Sequence, residues 1–160
     1  AAEKSAVLLT NDGTLPLDAA KLGELAVVGK LADMVNTGDN GSSRVRAPYV
    51  VTPLEGLRRY LGADRVTDDI GTADAVVVVA GYTAEEEGEF IPGDLALGQA
   101  GSEAAIPDAL KEARKKSAPR PKSIGGDRID LGLPADQIAE IEAAAKSGKP
   151  VIVVLVTGSA

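Results

Sequence analysis

Cysteine, histidine and tryptophan are absent from this chain. Without cysteine there is no disulfide and no thiol nucleophile; with histidine missing too, Cys/His zinc sites and the Ser-His-Asp triad are excluded together. Chemistry is left to carboxylates, hydroxyls, Lys and Arg. The chain also lacks any apolar run of about 18 residues, the length a helix needs to cross a bilayer. Aromatic residues make up only 2% of a composition that is 44% hydrophobic, so the core must be built from Val, Leu, Ile and Ala. That aliphatic bias suits buried parallel strands covered by Ala-rich helices. Positive charge is in deficit, 17 Lys and Arg against 24 Asp and Glu, for a net charge of −7. The resulting negative potential disfavours nucleic acid or an anionic membrane as a primary partner and does not penalise a neutral ligand such as a sugar.

What is present fits a single domain: at 160 residues, roughly 70% of the unfolded chain's surface can be buried. Ala6 to Thr10 is predicted as a short strand closed by the turn Asn11-Asp12-Gly13. Glu24 to Gly29 follows as a strand on its β-branched pair and closing glycine. Thr52, Pro53 and Glu55 give a helix start the punctuation of a capping box, with Leu54, Leu57 and Leu61 as the buried stripe and Gly62 as the stop. A short strand is expected near Arg65 to Val66. Ala73 to Gly81 is the strongest strand, apolar on both faces, and Val151 to Val156 has the same character. Between them a helix is expected from about Pro134 to Ser147, with Ile138, Ile141 and Ala145 inward and Gly148 ending it. This alternation predicts an α/β fold, a three-layer sandwich of a mostly parallel sheet with helices on both faces, whose ligands belong at the carboxyl edge.

Two long loops, residues 30–51 and 82–132, leave the carboxyl ends of predicted strands. In the first, Gly38 to Arg46 lacks both the Walker lysine and the Gly-x-Gly-x-x-Gly spacing of a phosphate cradle. Asp39, Ser42 and Ser43 could instead hydrogen-bond the hydroxyls of a neutral ligand, with Arg44 or Arg46 orienting a carboxylate, although Asp-Asn-Gly-Ser is also ordinary turn chemistry. In the second loop, Glu85, Glu86, Glu87 and Glu89 crowd around Gly88. On the residues alone this is either a solvated acidic turn or a cluster that favours keeping one carboxyl protonated. The basic Lys115 to Lys122 run reads as a solvated loop, with a short helix expected around Asp108 to Lys116, and Asp127 with Arg128 as a structural ion pair.

Four segments, in order, resemble the carboxyl-terminal α/β domain of family 3 glycoside hydrolases. They are Ser5 to Leu17, which is similar to that domain's opening "VLLKNDGxLPL" phrase; Thr37 to Val45 with Val51 to Leu57; Glu85 to Phe90; and Gly126-Asp127-Arg128 with Leu131 and Leu133-Pro134. The third and fourth phrases are often close together in that family, whereas Glu89 to Gly125 separates them here, so a loop insertion is expected at 91–125. The resemblance also implies that the domain, represented here by residues 1–160, continues past Ala160, so that the sandwich is truncated at its C-terminus.

What the resemblance implies about function is a retaining exo-β-glycosidase, β-glucosidase-like, acting on a β-linked glucoside or oligosaccharide. An amino-terminal barrel domain of the same protein would supply an Asp nucleophile, and this domain a Glu just before a glycine as general acid and base. That position matches Glu87, followed by Gly88, with Glu86 as the next candidate. No metal or organic cofactor is implied, and the chain by itself would be inactive. The alternative is a non-catalytic, carbohydrate-binding or pocket-shaping module of the same fold.

Overall fold

The computed structural model describes residues 2–37, 47–83, 86–87 and 131–158. Among them are four strands, β1 (Leu25–Val28), β2 (Val66–Thr67), β3 (Ala75–Gly81) and β4 (Val151–Val156). The helices are α1 (Ala2–Ser5), α2 (Pro53–Leu61) and α3 (Ala135–Lys146), with a single 3-10 turn at Ala63–Arg65. The strands form one sheet in the order β2-β1-β3-β4. β1 runs parallel to both of its neighbours, Leu25 standing opposite Val66 on one side and Ala75 on the other. β4 is parallel as well: the amide of Val76 donates to Pro150 O and that of Tyr82 to Val156 O, so the two chains advance in step.

By internal contacts the chain divides into two compact units. The first comprises Ala1–Met34, Val51–Ala80 and Leu133–Leu155, and it holds the core. Side chains alternate across a strand, so the valines of β3 divide between two faces. Val77 and Val79 join Leu25, Val27 and Leu31, against which Leu54, Leu57 and Leu61 of α2 pack. Val76 and Val78 join Ala26 and Ala73 on the other face, where Ile141 and Ala144 of α3 close the cluster. Sheet, helix above and helix below make the expected three layers. Each fully buried valine contributes about 1.5–3 kcal/mol relative to exposure, which is why a chain so poor in aromatics can still hold this sheet.

Local signals explain the element ends. Thr52 caps α2, its hydroxyl accepting from the Glu55 amide at 3.2 Å and donating to Asp33 Oδ1 at 2.7 Å. The reciprocal arm of the expected capping box is not made, because the Glu55 carboxylate pairs with Arg59 one turn on. Gly29, at φ 104°, ends β1 where the chain crosses the backbone of Val79. A Cβ there would lie 2.5 Å from Val79 O, so only glycine allows the approach.

Three expectations are corrected. Ala6 to Thr10 is not a strand: Val7, Leu8 and Leu9 are 77%, 64% and 63% exposed and no strand of the sheet pairs with them. A ladder needs a partner that local sequence does not specify. The turn after this segment does form, Asn11 Oδ1 accepting from the amides of Gly13 and Leu15. In α3 the helix is present but its phase differs: Gln137, Ile141 and Ala144 face inward, while Ala145 is exposed and Ile138 is 43% exposed. The Ala-rich sequence supports two adjacent stripes, and the one chosen places the small Ala144 against Ala26 and Val76. β4 does not share the central character of β3: it stands at the edge of the described sheet, and its last four residues, Val153 to Val156, are exposed.

Candidate functional site

The second unit comprises Val35–Val50, Gly81–Gly132 and Val156–Ala160. It contains the residues that follow the carboxyl ends of β3 and β4. Its described part is organised around Tyr82. The Tyr82 amide donates to Val156 O at 3.0 Å, its carbonyl accepts from Asn36 Nδ2 at 3.0 Å, and its hydroxyl donates to Gly132 O. Gly81 is required just before it, since a Cβ at that position would overlap the Val156 backbone. The start of the 82–132 loop is thereby tied to the residue that ends β4 and, through the phenol, to the loop's own far end.

Immediately beyond, Thr83 nucleates a tight turn. Its carbonyl accepts from the amides of Glu86 at 3.0 Å and Glu87 at 2.9 Å. The Glu86 carboxylate folds back on the same residue, Oε2 accepting from the Thr83 amide at 3.0 Å and from Thr83 Oγ1 at 3.1 Å. This is the back-reaching arm of a capping box, which satisfies a turn's free amide with a carboxylate three residues on. Glu86 therefore holds the turn together. The adjacent carboxylate, Glu87, points elsewhere: Oε2 accepts from the amide of Gly158, just past β4, at 3.3 Å. Both glutamates are half-buried.

The two candidates for one role thus part company, and the Thr83-x-x-Glu86 spacing was the sequence signal that separated them. The other predicted site residues, Asp39, Ser42, Ser43 and Arg44, lie outside the described residues, as do Glu85, Gly88 and Glu89, Asp127 with Arg128, the insertion at 91–125, the helix expected at 108–116 and the Lys115 to Lys122 run. Among the described residues no group of His, Cys, Asp or Glu is arranged to hold a metal ion, and no helix is long and apolar enough to cross a membrane.

A parallel three-layer α/β domain, with a glutamate turn following one strand and an amide following the next, defines the class. The particular family follows from comparison: the profile described as "Glycosyl hydrolase family 3 C-terminal domain" matches residues 6–160, and the chain belongs to that family. It is 30% identical over 174 aligned positions to a protein named beta-xylosidase from Formosa agariphila, covering 98% of this chain and 20% of that protein. A shorter stretch of 58 positions, 36% of this chain and 7% of the relative, is 45% identical to a beta-glucosidase from Rhizobium radiobacter. The chain therefore spans about a fifth of the length of the first relative and a smaller share of the second.

Proposed function

We propose that this chain serves a retaining exo-β-glycosidase acting on β-glucosides, and that Glu87 is its general acid and base. Glycoside hydrolysis by retention needs two carboxyl groups roughly 5–5.5 Å apart, one to attack the sugar carbon and one to protonate the leaving oxygen. An Asp nucleophile from a barrel domain of the same protein fills the first role. Glu87 fills the second, donating its proton as the glycosyl-enzyme forms and then taking one from the water that hydrolyses it. The observation that carries this reading is the division within one turn: the Glu86 carboxylate closes onto Thr83 by two hydrogen bonds, whereas Glu87 Oε2 turns to the amide of Gly158, just past β4, at 3.3 Å. The relative named beta-xylosidase supports the reaction class and raises a β-xyloside as the other substrate to compare.

The test is Glu87→Gln in the full-length protein, assayed on aryl β-glucosides and β-xylosides over a range of leaving groups. Poor leaving groups depend on protonation, so kcat/KM for them should fall by about 10²–10⁴-fold, with far smaller losses for dinitrophenyl glycosides. Azide should raise turnover of the activated substrates, since it attacks the glycosyl-enzyme without a general base. Glu86→Gln should show neither pattern. Equal losses across leaving groups with no azide effect would remove Glu87 from the role and leave a pocket-shaping domain.

A further inference from the structure

Glycines in this chain clear two kinds of neighbour, backbone at Gly29 and Gly81 and a carboxylate at Gly158, as at Gly23 beside Asp74. At Gly81 a side chain would meet backbone, an obstacle that cannot move without disturbing a strand. At Gly158 a Cβ would lie 2.6 Å from Oε1 of Glu87, 3.1 Å from its Cδ and 3.6 Å from Oε2, and among the described residues, its chain neighbours aside, no other group is as near. The neighbour that would have to yield is the end of a flexible side chain. Gly158 has no positive φ, so alanine is not strained there by its backbone.

We propose that Gly158 is a positioning residue for Glu87: its missing side chain leaves the space the carboxylate occupies, and its amide N–H, 3.3 Å from Oε2, sets the direction in which that carboxylate lies. The proposal rests on Glu87 being the acid and base, and it adds that the segment after β4 takes part in fixing the reach of that group. The physical reason is the short range of proton transfer, which needs heavy atoms within about 2.6–3.2 Å. A methyl group at 158 forces the carboxyl away by several tenths of an ångström or more, and a misplacement near 1 Å costs on the order of 10²-fold in rate. Because a flexible side-chain end yields at little cost, the fold is kept while the proton donor is moved.

Gly158→Ala in the full-length protein tests this. The expected result is a loss of about 10-fold or more in kcat/KM for aryl glycosides with poor leaving groups, an activated dinitrophenyl glycoside within about 3-fold of wild type, and an unchanged melting temperature. Placed on Glu87→Gln, the same substitution should cause no further loss, because both changes act through one group. Equal losses on all substrates, a variant that does not fold, or a full additional loss on Glu87→Gln would overturn the positioning role while leaving the acid assignment intact. A Glu87→Gln enzyme that hydrolyses poor leaving groups normally would overturn the acid assignment, and this proposal with it.

Discussion

The amino ends of the strands and the residues past their carboxyl ends use charged side chains in contrasting ways. Before β1 and β3, Asp74 Oδ2 accepts from the amides of Gly23 at 2.6 Å and Glu24 at 3.1 Å. The Arg65 guanidinium donates to the carbonyls of Ala19, Leu22 and Gly23, and the Lys149 ammonium, just before β4, to those of Gly71 and Ala73. Each of these charges meets several backbone groups left over where strands begin, and each is thereby fixed. Past β3, Glu86 accepts twice from Thr83 within its own turn, whereas Glu87 accepts from the amide of Gly158, a residue that follows a different strand.

Glycine substitutions give the largest test of that contrast. Gly29→Ala meets the Val79 backbone and a positive φ together, and it should lower stability by roughly 2–5 kcal/mol through overpacking and backbone strain. The measurement is the thermal or denaturant midpoint of the full-length protein, beside Gly158→Ala, for which no shift is expected. If the two alanine variants melted alike, the distinction between a glycine that clears backbone and one that clears a carboxylate would fail.

How much of this was legible in sequence depends on the range of the interaction. Local rules served well: the unbroken apolar run of Ala75–Gly81, the Thr52-Pro53 start of α2 and the Asn11-Asp12-Gly13 turn each depend on neighbours within a few residues, and each is present. Thr83-x-x-Glu86 was equally local and was passed over, since an acidic run invites reading as one cluster. What was not legible is long-range. Arg65 reaches carbonyls 42 to 46 residues away, and Lys149 reaches carbonyls 76 to 78 residues away. Gly158, whose amide Glu87 accepts from, is 71 residues downstream. The strand expected at Ala6 to Thr10 and the phase of α3 failed for the same reason, since pairing and burial are decided by other segments.

A smaller effect should come from the staples at the amino ends. Arg65→Met keeps the aliphatic stem and removes the donors to Ala19, Leu22 and Gly23. The loss expected is about 1–3 kcal/mol, the range for hydrogen bonds to a charged group, read as a lowered melting temperature with kcat/KM per folded molecule unchanged for every leaving group. A leaving-group-dependent loss in Arg65→Met would break the comparison, because it would couple a backbone staple to the proton transfer.

The smallest effect concerns a carboxylate that also completes a turn but does so in open solvent. Asp12 Oδ1 accepts from the Thr14 hydroxyl at 2.7 Å and the Thr14 amide at 3.0 Å, and these bonds, the hydroxyl first, hold its carboxyl below the ordinary value of 3.8. A depressed folded-state pKa means that the ionised form is favoured by folding. Its stabilisation is therefore complete above the unfolded value and disappears as pH falls from about 3.8 through the lower folded one. Asp12→Asn should flatten the melting temperature of the protein across that acid window, by lowering it slightly at neutral pH and leaving it nearly unchanged below the window. The change should stay well below that of Arg65→Met, because solvent screens an exposed group and not a half-buried one. An acid-window effect as large as the Arg65 loss would show that burial is not what gives the amino-end staples their strength.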